Sequence, residues 1–238
     1  MLGSVVRQNT TEGAGIPPDE VRIGKDIIEL VTSGLYVFPV TIYREYVQNA
    51  VDAIDAARAR GLIGSAERGK ISVDIEPADR CVVIRDNGCG LPASEAVSTL
   101  VAIGGSPKRG TGARGFRGVG RLSGLAYCQE LEFRTKTVGD PSVVSVVWDC
   151  KTLRGRLADS TFRSDVRKLI SQCTAVFFEK ASDPADHFFE VRMRNVARHR
   201  QDMLLNEKLI GRYLAQVAPL HVATRIEARP DATPKRLA

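Results

Sequence analysis

Long apolar runs are missing from this 238-residue chain. No segment approaches the roughly 18 or more consecutive apolar residues that a bilayer-spanning helix needs. The opening MLGSVVRQNTTEGAG also lacks the apolar core of a secretory signal, so a cytoplasmic location with no membrane role is the default expectation. Cysteine is sparse: Cys81, Cys89, Cys128, Cys150 and Cys173 are odd in number, widely spaced and form no C-x-x-C. That pattern argues against a disulfide framework and against a zinc site. No G-x-x-x-x-G-K-[ST] occurs, which removes the Walker phosphate loop. Between Glu95 and Glu130 there is no acidic residue at all. What is present describes a soluble globular protein: 43% hydrophobic residues, a mean hydropathy of -0.11, and a net charge of +6 with a pI near 9.2. The length accommodates one large domain or two small ones. The basic balance mildly favours an anionic partner such as a nucleotide or nucleic acid, although a solvated basic surface commonly produces the same numbers.

Residues 1–20 are polar and rich in glycine and proline, and read as a flexible N-terminal arm. A short helix is expected over residues 24–33. A longer one is expected over about 40–60, where Tyr43, Val47, Ala50 and Ile54 recur as an apolar stripe. KISVDIEP and RCVVIRD read as strands, ASEAVSTLVAIG as a helix, and ELEFRTKTV, PSVVSVVWDC and QCTAVFFEKA as further strands. NEKLIGRYLAQVA reads as a last helix, followed by a polar tail, ATRIEARPDATPKRLA. Helices alternating with hairpin-connected strands predict an α+β fold, with helices on one face of a mostly antiparallel sheet.

Three stretches carry chemistry. Glu45, Asn49 and Asp52 stand at i, i+4 and i+7, on one face of the long helix and beside its apolar stripe. Such a polar stripe is ordinarily the solvated face, yet asparagine is a poor helix former, and the stripe lacks the usual lysine–glutamate mixture. In Ile84-Arg85-Asp86-Asn87-Gly88-Cys89-Gly90, a strand runs into an acid and two glycines. Asp-Asn-Gly alone is a turn signal, but an aspartate at a strand end can accept a hydrogen bond from an exocyclic amine, and Gly88 and Gly90 let a flat base approach the backbone. Residues 104–124 hold eight of the 21 glycines, together with Lys108, Arg109, Arg114, Arg117 and Arg121. An acid-free glycine loop feeding a helix cradles phosphate through backbone N–H groups. Its first part, Gly110 to Gly115, spells G-x-G-x-x-G, but Pro107 precedes it where the dinucleotide fingerprint requires a strand.

In this order and spacing the three stretches resemble the GHKL class of ATP-binding domains: DNA gyrase, the heat-shock protein 90 chaperones, histidine kinases and MutL. REYVQNAVDAID is similar to that class's N-box, IRDNGCGLP to its D-x-G-x-G box, and GFRGVGRLSG to the glycine box closing a mobile lid. The resemblance implies a Bergerat-type two-layer α+β sandwich. It implies that Asn49 gives its side-chain oxygen to Mg²⁺, and that Asp86 takes the adenine amine, partly through water shared with Thr174. By the same resemblance Gly88 and Gly90 make room for the base, and Gly115, Gly118 and Gly120 wrap the phosphates. Glu45 becomes the base that activates water, and Asp52 a supporting residue. Lys108 is a candidate phosphate contact, although surface charge explains it as well.

With no phosphoacceptor context around His187, His199 or His221, hydrolysis to water is favoured over transfer to histidine. The expected function is slow Mg²⁺-dependent ATP hydrolysis by a heat-shock protein 90-like or MutL-like ATPase module coupling nucleotide state to conformational change. The alternative is a nucleotide-gated dimerisation or DNA-clamping switch, motivated by the charge and by the arginine-rich stretch 191–200. The expected organisation is an arm over 1–20, the ATP-binding domain over 21–198, and a C-terminal helix and tail over 199–238. That tail is expected to lead to a transducer domain supplying a lysine. A nucleotide-dependent homodimer is an expected partner, with the client protein or DNA left open.

Overall fold

The computed structural model describes residues 38–102, 120–159, 166–217 and 223–228. The expected arm over 1–20, the helix over 24–33, and the glycine segment with Lys108, Gly115 and Gly118 lie outside them.

The elements follow in the order α1 (Thr41–Ala59), β1 (Lys70–Glu76), β2 (Cys81–Asp86), α2 (Ala93–Val101), a 3-10 turn (Gly120–Ala126), β3 (Glu130–Lys136), β4 (Ser142–Asp149), α3 (Cys150–Ala158), α4 (Val166–Gln172), β5 (Thr174–Lys180), β6 (Phe188–Arg194), a second 3-10 turn (Met203–Leu205), α5 (Glu207–Val217) and β7 (Ala223–Ala228). The strands form one sheet in the order β5-β4-β3-β6-β2-β1-β7. Every pairing is antiparallel except the last, where β7 runs parallel to β1.

Strand periodicity decides which face is covered. Ile71, Val73 and Ile75 on β1 stand opposite Asp86, Ile84 and Val82 on β2, and those in turn stand opposite Phe189, Val191 and Met193 on β6. Nearly all of these join one buried cluster with Tyr43, Val47, Ala50 and Ile54 of α1 and with Ile210 and Leu214 of α5. Side chains two residues apart share a face, so this register turns one apolar stripe per strand toward the helices.

The opposite face is charged. Glu190 of β6 meets Arg85, Arg134 and Arg192 at 3.0, 3.6 and 2.6 Å, while Arg194 pairs with Glu130 and, at 2.7 Å, with Glu132. The α+β sandwich with helices on one face is therefore the architecture found, and it is that of the Bergerat fold.

One expectation changes. Residues 223–228, expected in a polar tail, are strand β7, because their backbone completes the exposed edge of β1. The helix expected in the C-terminal stretch 199–238 is α5, which sends Ile210 and Leu214 into the common core.

Candidate functional site

On α1, Arg44, Asp55 and Ala59 are exposed and the apolar stripe is buried, whereas Glu45, Asn49, Asp52 and Ala56 are half-buried between them. The polar stripe is thus not the solvent face of the helix. Burial raises the Glu45 carboxyl above the ordinary range, opposed by the neighbouring Arg44 charge. Gly120 backs onto this carboxylate so closely that a Cβ there would overlap it. The glycine segment therefore re-enters the described structure directly against Glu45. Its two ends are tied together, because Arg121 donates to the Ala102 carbonyl at 2.6 Å. Gly124 follows, its buried N–H donating to the Tyr46 hydroxyl at 2.9 Å.

Asp86 closes β2 on the helix-facing side and is 5% exposed. One of its oxygens accepts the Gly88 N–H at 2.8 Å. Burial pushes its carboxyl up to about 7, against the lowering pull of the Gly88 amide, Arg85 and the Phe189 amide. A buried carboxyl of this kind is an acceptor held ready for a ligand's N–H donor.

The loop after it is held from every side. Asn87 N–H donates to Lys70 O at 3.2 Å, Cys89 N–H to Ala53 O at 3.2 Å on α1, and Leu91 N–H to the Thr135 hydroxyl at 2.7 Å. His187, just before β6, places Nδ1 at 2.8 Å from the Gly88 carbonyl. A Cβ on Gly88 would stand 2.6 Å from that of Ala53. Gly90, at φ +63, presses so closely on the Lys136 carbonyl that a Cβ would overlap it. Only glycine meets both demands at Gly90.

Of the expected residues, the structure brings Glu45 to Gly120, aligns Asn49 and Asp52 along the same helix, and gathers Asp86, Gly88 and Gly90 into one braced loop against it. Thr174 is not brought there. It begins β5 at the far edge, with β4, β3 and β6 between it and β2. The register sets it in line with Val82, four strand spacings across the sheet, so it lies more than about 19 Å from Asp86. Its hydroxyl donates to Ile170 O at 2.8 Å, so a water shared with Asp86 is ruled out by geometry. The strand beside Asp86 is β6, with Phe189 opposite it. Thr135, Lys136, Tyr46 and His187 support the site without any loop or motif signal of their own. The first two lie inside a predicted strand, Tyr46 falls within REYVQNAVDAID without an assigned role, and His187 stands alone in sequence.

Together these groups offer a half-buried carboxylate and amide on one helix, a buried acceptor at a strand end, and Gly120 set against the carboxylate. Among the described residues, no group of three or more histidine, cysteine or acidic side chains is placed to hold a metal by itself.

Comparison with known proteins agrees with this geometry. Residues 39–168 match the family model described as histidine kinase-, DNA gyrase B- and HSP90-like ATPase. Chaperone protein HtpG of Polaromonas naphthalenivorans is 25% identical over 195 residues, covering 74% of this chain and 30% of that protein. The HtpG of Albidiferax ferrireducens is 25% identical over 193 residues, or 74% and 28%. That of Burkholderia lata is 28% identical over 142 residues, or 52% and 22%. The chain thus spans less than a third of these relatives' length. With a family model matching more than half its residues, the chain belongs to the histidine kinase-, DNA gyrase B- and HSP90-like ATPase family, close to the heat-shock protein 90 type.

Proposed function

We propose that the site built from α1, the Asp86 loop and Gly120 binds ATP with Mg²⁺ and hydrolyses it slowly, coupling nucleotide state to a conformational change. The observation that carries this reading is the Glu45 carboxylate, half-buried, raised in pKa and set against Gly120 at the root of the glycine segment. A carboxylate so placed accepts a proton from water more readily than an exposed one, which suits a general base. Asp86 accepts the adenine amine, Gly88 and Gly90 leave the base room, and Asn49 offers its side-chain oxygen to the metal. A Mg²⁺ held there by Asn49 would supply charge neutralisation at the phosphoryl oxygens. Asp52 steadies the helix, while Gly115, Gly118 and Lys108 are proposed on the resemblance alone. The relatives' name, chaperone protein HtpG, supports the chaperone type over the MutL type. A nucleotide-dependent homodimer remains part of this reading. The DNA-clamping alternative loses support, because Arg192 and Arg194 are engaged with Glu190, Glu130 and Glu132 on the sheet's charged face.

Glu45→Ala tests the assignment. Hydrolysis should fall by about 100-fold or more, the scale of a lost general base, while ATP binding measured by isothermal titration stays within a few-fold. Undiminished turnover would remove Glu45 from the role, and binding insensitive to a Mg²⁺ chelator would remove the metal.

A further inference from the structure

The peptide joining Gly88 to Cys89 is gripped at both ends. Its N–H donates to the Ala53 carbonyl of α1 at 3.2 Å, and its C=O faces His187 Nδ1 at 2.8 Å. A carbonyl only accepts, so Nδ1 must carry the proton. The preceding peptide, through the Gly88 N–H, is the one that holds the Asp86 carboxylate. His187 itself is fixed from below. The Lys136 ammonium, in a residue only 1% exposed, donates to the carbonyls of Thr137, Pro184 and Asp186 at 3.1, 3.0 and 2.8 Å, which nails down the segment leading into His187. On its other side, Arg85 lies 3.7 Å over the Phe188 ring. Thr135 bridges the same two segments, accepting from Leu91 N–H and donating to Phe188 O. The helix bearing Glu45 and Asn49, the loop bearing Asp86, and the entrance to β6 therefore meet at one peptide bond.

We infer that His187 is a positioning residue for nucleotide recognition: its Nδ1–H holds the Gly88 carbonyl and thereby sets Asp86 at the height where it reads the base. The role falls on strand β6, beside Asp86, rather than on Thr174 at the sheet's far edge. Gly88 is buried, so removing the donor leaves an unpaired carbonyl inside the loop.

This inference rests on the nucleotide-site reading, and the test separates the two. Binding of ATP and of ADP is measured by isothermal titration for the wild type, His187→Leu, His187→Asn and His187→Gln, each with its thermal midpoint. Asparagine carries an N–H where Nδ1 stands, whereas glutamine carries it where Nε2 stands. His187→Leu and His187→Gln should weaken both nucleotides by about 10-fold, equivalent to about 1.4 kcal/mol, and His187→Asn should recover affinity to within about three-fold of wild type. Wild-type affinity in the leucine variant, or equal affinity in the asparagine and glutamine variants, overturns the positioning role. No binding by the wild type overturns the site reading itself. Should the leucine variant fail to fold, the asparagine–glutamine pair alone decides.

Discussion

Asp86 is the residue whose chemistry is most directly measurable. Its carboxyl is raised from an ordinary 3.8 to about 7, so the native state holds a proton that the unfolded chain has already released between these values. Stability contributed by this group therefore falls as pH rises from about 4 to 7, the reverse of a salt-bridged aspartate. Asp86→Asn should flatten that slope in denaturant titrations repeated across the window. In the proposed site an adenine amine donating to Asp86 favours the ionised carboxylate, so binding should release the proton. Titrations near pH 7 in buffers of different ionisation enthalpy should show proton release by the wild type beyond any change on the nucleotide itself. In Asp86→Asn that excess should vanish.

Among the elements, α1 and the 3-10 turn after the glycine segment form a single mechanical unit. Tyr46 is 3% exposed, its hydroxyl accepts the Gly124 N–H, and a Cβ on Gly124 would stand 2.6 Å from that hydroxyl. Tyr46→Phe keeps the ring but strands a buried amide. Stability should drop by about 1–3 kcal/mol, and hydrogen exchange should quicken at Gly124 while β1 amides keep their protection. Residue spacing made α1 legible, because a buried helix face and its neighbouring half-buried stripe both repeat at helical intervals. The Asp86 loop was legible for a related reason, since its acid and glycines are local in sequence. Strand β6 carried a signal too: Phe189, Val191 and Met193 alternate with Glu190, Arg192 and Arg194, although arginine content also suits a nucleic-acid surface. Strand order was not legible. QCTAVFFEKA reads correctly as a strand, but nothing local says that it lies at the edge, and so Thr174 lands far from Asp86. His187, Thr135 and Lys136 act through contacts between segments far apart in sequence, which no spacing rule reveals.

Across the whole molecule, the sheet shows water a face of charge and shows the helices a face of hydrocarbon. Four arginines and their carboxylates mesh across β2, β3 and β6, so the chain's excess of positive charge is not concentrated there. The hydrocarbon face needs α5, where Ile210 is fully buried and Leu214 is 2% exposed. A chain ending at residue 198 loses both side chains and β7 as well, a loss of about 3–6 kcal/mol in apolar burial alone. That is comparable with the whole stability of a typical domain. Such a chain should give a broad, weakly cooperative melt by circular dichroism, while one ending at 228 melts as a unit.

The parallel pairing of β7 with β1 also imposes an order in time. Lys70 meets Ala223, so the first described strand waits for the last described one. At ordinary synthesis rates that wait is roughly 8–30 s. Through it β1 shows an open, apolar-backed edge to its surroundings, and α1 lacks the covering of α5. The groups of the proposed site are therefore made early but assembled late, and an unfinished chain should be sticky before that site is complete.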